Sequence, residues 1–343
     1  MRGKTLILHL GAQKTGTTSL QKFLCYNNQT LKQKYDIIYP VKELHPEIDS
    51  FPMLVWGHHL IDDYFLNPNN PKRGERSIKA FNNLKRLIEF ELKSHQILLL
   101  SCEHFLINPN YKYLINFFRN YFDQIIGIVY VRRQDESAPA LYSTVVSVRN
   151  IKKTFEDWFK INKRLFDYYQ LIKNYESCGV RVIVKLYHKN FLKNGDIIHD
   201  FLNCLIVITN KEINIEDFYW DQPYKENTTF PDFITMILQY LNNMYNNKDI
   251  ASYLKQIGRY IANNFKDLPK YDFLSPQEKS KIIKMYYHSN ISLCKEYFNN
   301  DEQILNLLTN SHYTKEDIDN WNKRYGYEGW FWYEFFKYLD DLI

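Results

Sequence analysis

The sequence predicts an α/β protein, with a mostly parallel, doubly wound sheet and a helical C-terminal extension. Three observations predict it. Five short apolar runs, several of them apolar on both faces, read as strands of a covered parallel sheet. Segments of helical period lie between them, and that alternation is what strands joined by crossover helices produce. Beyond about residue 210 the strand signals fade while helical ones continue. The expected division is residues 1–210 as an α/β core and 211–343 as a mainly helical extension packed on it.

In chain order, "TLILHL" (5–10) is the first strand, and a stripe of Leu20, Phe23, Leu24 and Leu31 marks the helical stretch after it. "YDIIYP" (35–40) is the second strand. Ile78, Phe81, Leu84, Ile88 and Leu92 recur at steps of three and four, which predicts an amphipathic helix before the third strand, "QILLLS" (96–101). "IIGIVYV" (125–131) is the fourth strand. Leu141, Val145 and Val148 share a helical face after it, and "VRVIVKLY" (180–187) is the fifth strand. Residues 274–298 open with a capping box, Ser275 and Glu278, with Pro276 at the first helical position. Ile282, Tyr286, Leu293 and Tyr297 then share a face. The tail "GWFWYEFFKYLDDLI" (329–343) is too aromatic to stand in water, so it is expected to pack on the body or on a second copy of the chain.

Composition narrows the function classes. A 45% hydrophobic and 24% charged content is that of an ordinary globular protein. The net charge of +5 arises from basic and acidic residues mixed along the chain, with no Lys/Arg block of the kind that binds nucleic acid. The five cysteines (Cys25, Cys102, Cys178, Cys204, Cys294) are scattered and form no CxxC pair, so their spacing suggests neither a zinc site nor a disulfide framework. A reducing compartment fits them. The N-terminal run after Arg2 and Lys4 is short, contains His9 and flows into a glycine loop, so it reads as a buried strand rather than a signal peptide. No stretch approaches the ~20 apolar residues needed to span a bilayer. The expectation is a soluble, cytoplasmic protein.

Ligands of open α/β sheets gather at the carboxyl ends of the strands. The first strand runs into "LHLGAQKTGTTS" (8–19). Gly11 and Gly16 keep the spacing of the nucleotide loop GxxxxGK[ST], but Thr17 stands where the lysine belongs and Lys14 comes two residues before Gly16. Backbone N–H groups at the following helix start make an anion site. Lys14 adds a charge, and the hydroxyls of Thr15, Thr17 and Thr18 add donors. The third strand ends in "LLLSCEHF" (98–105), presenting Glu103 and His104, and the fourth in "VYVRRQDESAPALYSTVV" (129–146), presenting Arg132.

The stretch "LHLGAQKTGTTSLQKFL" (8–24) strongly resembles the 5′-phosphosulfate loop of sulfotransferases, in particular bacterial-type ones in which KxGTT replaces the kinase loop. The resemblance implies a P-loop-like fold and a 3′-phosphoadenosine 5′-phosphosulfate (PAPS) donor held by Gly11, Lys14, Thr15, Gly16, Thr17 and Thr18. Lys14 would stabilise charge on the oxygen between phosphate and sulfate as that bond breaks. It implies no metal requirement. Arg132 matches the family's 3′-phosphate arginine, but the serine expected eight residues later is Ala140. Ser137 and Ser143 lie near it without keeping the spacing, and Ser143 is carried as the replacement ligand. Glu103 aligns with the residue that takes the acceptor's proton, with His104 immediately behind it as the other candidate. Weaker likeness continues through "KLYHKNFLKNGDIIHDFL" (185–202). The basic, glycine-bearing 3′-phosphate motif of cytosolic animal enzymes is missing. The acceptor implied is a carbohydrate or glycolipid hydroxyl. Trp56, His58 and His59, in "FPMLVWGHHL" (51–60), are the residues of a type to stack on a sugar or bond its hydroxyls. The rivals are a nucleotide-dependent kinase and a nucleotide- or saccharide-binding module that has lost catalysis.

Overall fold

Strands that are apolar on both faces need helices above and below them, and the structure supplies both. The computed structural model describes residues 3–44, 56–66, 74–93, 96–220 and 274–325, together with Thr235, Leu238, Gln239 and Asn242. Two compact units share the chain. The first comprises residues 1–132 and 168–226, and the second residues 133–167 and 227–343. This division differs from a single cut near residue 210, because residues 133–167 side with the C-terminal segment.

In the first unit all five expected strands are present: β1 (Thr5–His9), β2 (Ile37–Ile38), β3 (Ile97–Ser101), β4 (Gln124–Val131) and β5 (Arg181–Leu186). Every pairing is parallel, in the order β2-β3-β1-β4-β5. Parallel neighbours require crossovers. Between β1 and β2 run α1 (Thr17–Tyr26) and α2 (Asn28–Tyr35). Between β2 and β3 run α3 (Val41–Leu44), α4 (His59–Leu66) and α5 (Glu75–Arg86), and α6 (Tyr111–Arg119) joins β3 to β4. The chain then leaves for the second unit through α7 (Gln134–Arg149) and α8 (Phe155–Asn162). It returns as α9 (Tyr168–Glu176) before β5, and α10 (Ile197–Thr209) follows.

The sheet faces divide by the strand period of two. Ile7, Leu99, Ile128 and Tyr130 bury one face against Leu20, Phe23, Leu24 and Leu31, the whole of the expected stripe, and against Ile197, Phe201 and Leu205 of α10. Each such side chain contributes about 1.5–3 kcal/mol by leaving water. The alternate residues Leu6, Leu8, Leu98, Leu100 and Val129 are equally buried. Right-handed crossovers assign their face to α6, which packs on β4, and to α9, which packs on β5.

Two helical stripes depart from expectation. Ile78 is exposed, and α5 turns Ser77, Ala80 and Leu84 inward instead. Small residues there let α5 lie close to α4, where Tyr64 stacks on Phe81 with ring centroids 3.7 Å apart. The helix also ends at Arg86 and continues as a π-turn over Leu87–Glu91, which shifts the phase of Ile88 and Leu92. In α7, Leu141 and Val145 are buried but Val148 is 64% exposed, with Val146 taking its place.

Among its described residues the regular structure of the second unit is helical: α7, α8, and then α11 (Pro276–Met285), α12 (Tyr287–Tyr297), α13 (Glu302–Thr309) and α14 (Lys315–Tyr325). Leu141, Tyr142, Val145 and Val146 pack with Trp158, Phe159, Phe166, Ile282 and Tyr286. The capping box is present in full: Ser275 Oγ accepts from Glu278 N at 3.2 Å, and Glu278 Oε2 accepts from Ser275 N at 2.7 Å. The expected run to residue 298 breaks at Tyr286, whose hydroxyl donates to Lys163 O at 2.6 Å. Helix α7 begins at Gln134, so Pro139 lies inside it. The aromatic tail lies outside the described residues. Among the described residues no helix is long and apolar enough to cross a membrane.

Candidate active site

Leaving β1 the chain crosses toward the β2 edge, and leaving β3 it crosses back toward β4, so the sheet changes winding direction around β1. That is where ligand crevices form. The carboxyl ends of β3, β1 and β4 stand side by side there, and each carries one of the residues singled out above.

The β1–α1 loop depends on its glycines. A Cβ on Gly11 would stand 2.9 Å from the Thr17 methyl and 3.2 Å from Glu103 Cα, so only glycine lets the strand end of Glu103 approach the loop. Gly16 takes φ 74° as the cap of α1, and Lys14 takes φ 66°, a left-handed conformation that L side chains seldom adopt. No side chain caps α1, which leaves its first-turn N–H groups for an anion.

The threonines have distinct tasks. Thr15 is fully buried and donates to Ala12 O at 2.6 Å, so its hydroxyl pins the turn rather than serving as the free donor expected. Thr17 donates to Glu103 Oε1, which orients the carboxylate. Thr18 is partly exposed on the first turn. Arg132 Nη1 donates to Lys14 O at 3.3 Å, tying the end of β4 to the loop. Lys14 thus sits among charges. Burial pulls its ammonium pKa below the usual lysine value, Glu103 pushes back up, and Arg132 adds to the lowering.

The structure separates the two adjacent arginines. Arg133 forks onto Asp135 with two bonds of 2.8 Å, and Tyr313 donates to the same carboxylate at 2.7 Å, so it is spent on the second unit. Arg132 remains the arginine of the loop. Ser143, the replacement phosphate ligand expected from sequence, belongs to the second unit. It is buried in α7 and its hydroxyl shares a 2.7 Å bond with Thr235. Ala140 lies in the second turn of α7.

His104 stands apart from Glu103 in its surroundings. Its Nδ1 is 3.9 Å from Asp62 Oδ2, and its ring meets that of His59 edge-on at 5.5 Å. His59 Nδ1 is 3.3 Å from Cys102 Sγ. Burial pushes the Cys102 thiol pKa well up, with Asp62 adding to it. Burial also raises Asp62 to about 6, against the lowering by Asn108 and His104.

The expected sugar-binding trio divides. His58 is fully buried, and its Nδ1 accepts from Ser101 N at 2.9 Å beneath Tyr39. It braces β3 and offers no surface to a sugar. His59 is partly exposed but faces Cys102. Trp56 is partly exposed, with the Lys22 ammonium 4.3 Å from its ring centroid. Residues 51–55 of that motif lie outside the described residues.

Several groups around the loop carry little signal in the sequence. His9 is fully buried, with Nδ1 2.8 Å from Ser101 Oγ, and Gln21 donates to the same hydroxyl at 3.1 Å. Burial lowers the His9 pKa to about 3. Tyr187, just past β5, flanks the loop: a Cβ on Gly16 would lie 3.1 Å from its hydroxyl. A histidine inside an apolar strand was the one visible signal; nothing in the spacing marked Tyr187 or the approach of Cys102 to His59.

No family model matches the chain. An uncharacterized protein of Archaeoglobus fulgidus is 25% identical over 218 residues, which cover 61% of this chain and 55% of the relative. The chain therefore spans about half the length of the curated relative it matches. Among solved structures, a sulfotransferase from Alicyclobacillus acidocaldarius is similar over 67% of this chain and 88% of its own, at 18% identity and a TM-score of 0.40.

Proposed function

We propose that the protein is a sulfotransferase that moves the sulfuryl group of PAPS to a hydroxyl of a carbohydrate or glycolipid acceptor. One observation carries the reading: Lys14, Glu103 and Arg132, from three adjacent strand ends, converge on a glycine loop whose helix start is uncapped. In this reading the 5′-phosphosulfate lies on the N–H groups at the start of α1. The acceptor oxygen attacks sulfur in line while its proton passes to Glu103, which Thr17 holds in place. The sulfur–oxygen bond to the donor phosphate breaks, and the electron pair goes to that oxygen beside Lys14. Arg132, which can fork onto a phosphate, faces the 3′-phosphate of the donor. Positioning and charge stabilisation supply most of the rate.

The kinase reading is disfavoured by Thr17, which occupies the position of the nucleotide-loop lysine and spends its hydroxyl on Glu103. A thermal-shift panel separates the readings, because a ligand of the folded state alone raises the melting temperature by mass action. Adenosine 3′,5′-bisphosphate is expected to raise it, and ATP with magnesium is not. The opposite ranking would favour the kinase. Transfer of labelled sulfate from PAPS onto a glycan panel then tests the chemistry and identifies the acceptor.

A further inference from the structure

His59 and Asp62 lie three residues apart on α4, and Cys102 and His104 lie two apart beyond β3. The fold brings these two short segments together. His59, Cys102 and His104 each offer one ligand atom, and these atoms all lie within 4.8 Å of one another. The His59 Nδ1–Cys102 Sγ separation is 3.3 Å. Around a tetrahedral zinc, ligand bonds of ~2.3 Å to sulfur and ~2.0–2.1 Å to nitrogen place sulfur and nitrogen about 3.6 Å apart, and two nitrogens about 3.3 Å apart. One edge is therefore near its bonded length already, and the longest closes with a side-chain shift of about an ångström. A carboxylate adjoins this trio on the His104 side. Asp62 is 2% exposed, its Oδ2 is 3.9 Å from His104 Nδ1, and Asn108 donates to its other oxygen at 2.7 Å. That bond fixes the carboxylate as an outer-shell partner does in metal sites.

We infer that His59, Cys102, His104 and Asp62 form a binding site for a divalent transition metal, with zinc the best match. The donor set chooses the metal: thiolate and imidazole favour zinc, whereas magnesium and calcium take oxygen ligands. Charge favours it too. A dication with one thiolate and one carboxylate is neutral overall, which suits a place where Cys102 is fully buried and Asp62 nearly so. Binding releases the thiol proton to solvent and forms no redox step. With Asp62 drawn in from beside His104 as the fourth ligand, the coordination sphere closes and the metal is a brace. It holds the backbone on both sides of Glu103, which lies between Cys102 and His104. That consequence for catalysis rests on the sulfotransferase reading, whereas the binding itself does not.

Cobalt(II) is the probe, added to the purified full chain under reducing conditions. The expected result is about one Co²⁺ per chain, with intense visible bands of a tetrahedral centre and a near-ultraviolet thiolate-to-cobalt band, all displaced by Zn²⁺. Cys102→Ser should lose the near-ultraviolet band. His59→Gln, at a partly exposed position that spares the core, should weaken cobalt binding tenfold or more, and Cys178→Ser should leave it unchanged. A wild-type chain that gives only the weak spectrum of hydrated cobalt overturns the site, and so does a charge-transfer band that survives in Cys102→Ser. Failure of sulfate transfer with the cobalt spectrum intact would sink the proposed activity and leave the metal site standing.

Discussion

Lys14 combines a left-handed backbone, a partly buried ammonium and two charged neighbours, Glu103 and Arg132. In the proposed reaction it acts on charge that grows only as the bond to the leaving oxygen breaks. Lys14→Ala should therefore lower turnover by about 10²- to 10³-fold, the scale for losing one preorganised donor, while adenosine bisphosphate binding falls less. Steady-state rates beside a calorimetric titration would check this, and unchanged turnover would remove Lys14 from the mechanism. Glu103→Gln keeps the side-chain shape and removes the base, so turnover should fall by about 10²- to 10⁴-fold with donor affinity little altered. His9 leads to a prediction about stability. Its folded pKa of about 3 lies below the ordinary 6.5, so between those values the unfolded chain binds the extra proton. Stability from this group is complete above pH 6.5 and falls as pH drops toward 3. The loss at pH 5 is roughly 2 kcal/mol. Urea titrations at pH 7 and pH 5 should show that difference shrinking by about this amount in His9→Asn, and an identical difference in both proteins would mean His9 protonates normally.

Elements were legible in the sequence where one physical cause dominates. The five strands were visible because a sheet covered on both faces demands unbroken apolar runs, and the α1–α2 stripe because one face meets a large core. The inward face of α5 was not, because Ser77 and Ala80 are buried for their smallness, which hydrophobicity does not register. The loop and Glu103 could be placed from local spacing, while the contacts of His59 with Cys102 could not, since 43 residues separate them. His58 and His59 show the same limit: as neighbours of one type, they differ only in which way the helix start turns them. The capping box of α11 was read from four residues, and it makes a local prediction. Ser275→Ala removes the acceptor for Glu278 N and should cost about 1 kcal/mol, read as a lowered melting temperature with unchanged donor binding. A loss below a few tenths would show that water replaces the cap.

Taken whole, the chain passes from the first unit to the second at Arg133, back at Tyr168, and out again after Glu226. Neither unit is one continuous stretch. A fragment of residues 1–226 keeps the five strands but strips Tyr142, Trp158 and Phe159 of their partners Leu238, Leu274, Ile282 and Tyr286. It should bind a hydrophobic dye and aggregate, whereas the full chain does neither; a monomeric fragment that melts cooperatively would refute this. The alternation also sets a timetable for synthesis. The ribosome releases β1 to β4 first, then the aromatic residues of α7 and α8, and only afterwards β5, which completes the sheet. The C-terminal partners of α7 and α8, Leu238, Leu274, Ile282 and Tyr286, emerge more than 70 residues after α8 ends, counted from Asn162 to Leu238. At ~5–20 residues per second the nascent chain holds that apolar surface uncovered for several seconds, an interval in which a chaperone, rather than the rest of the protein, is its natural cover.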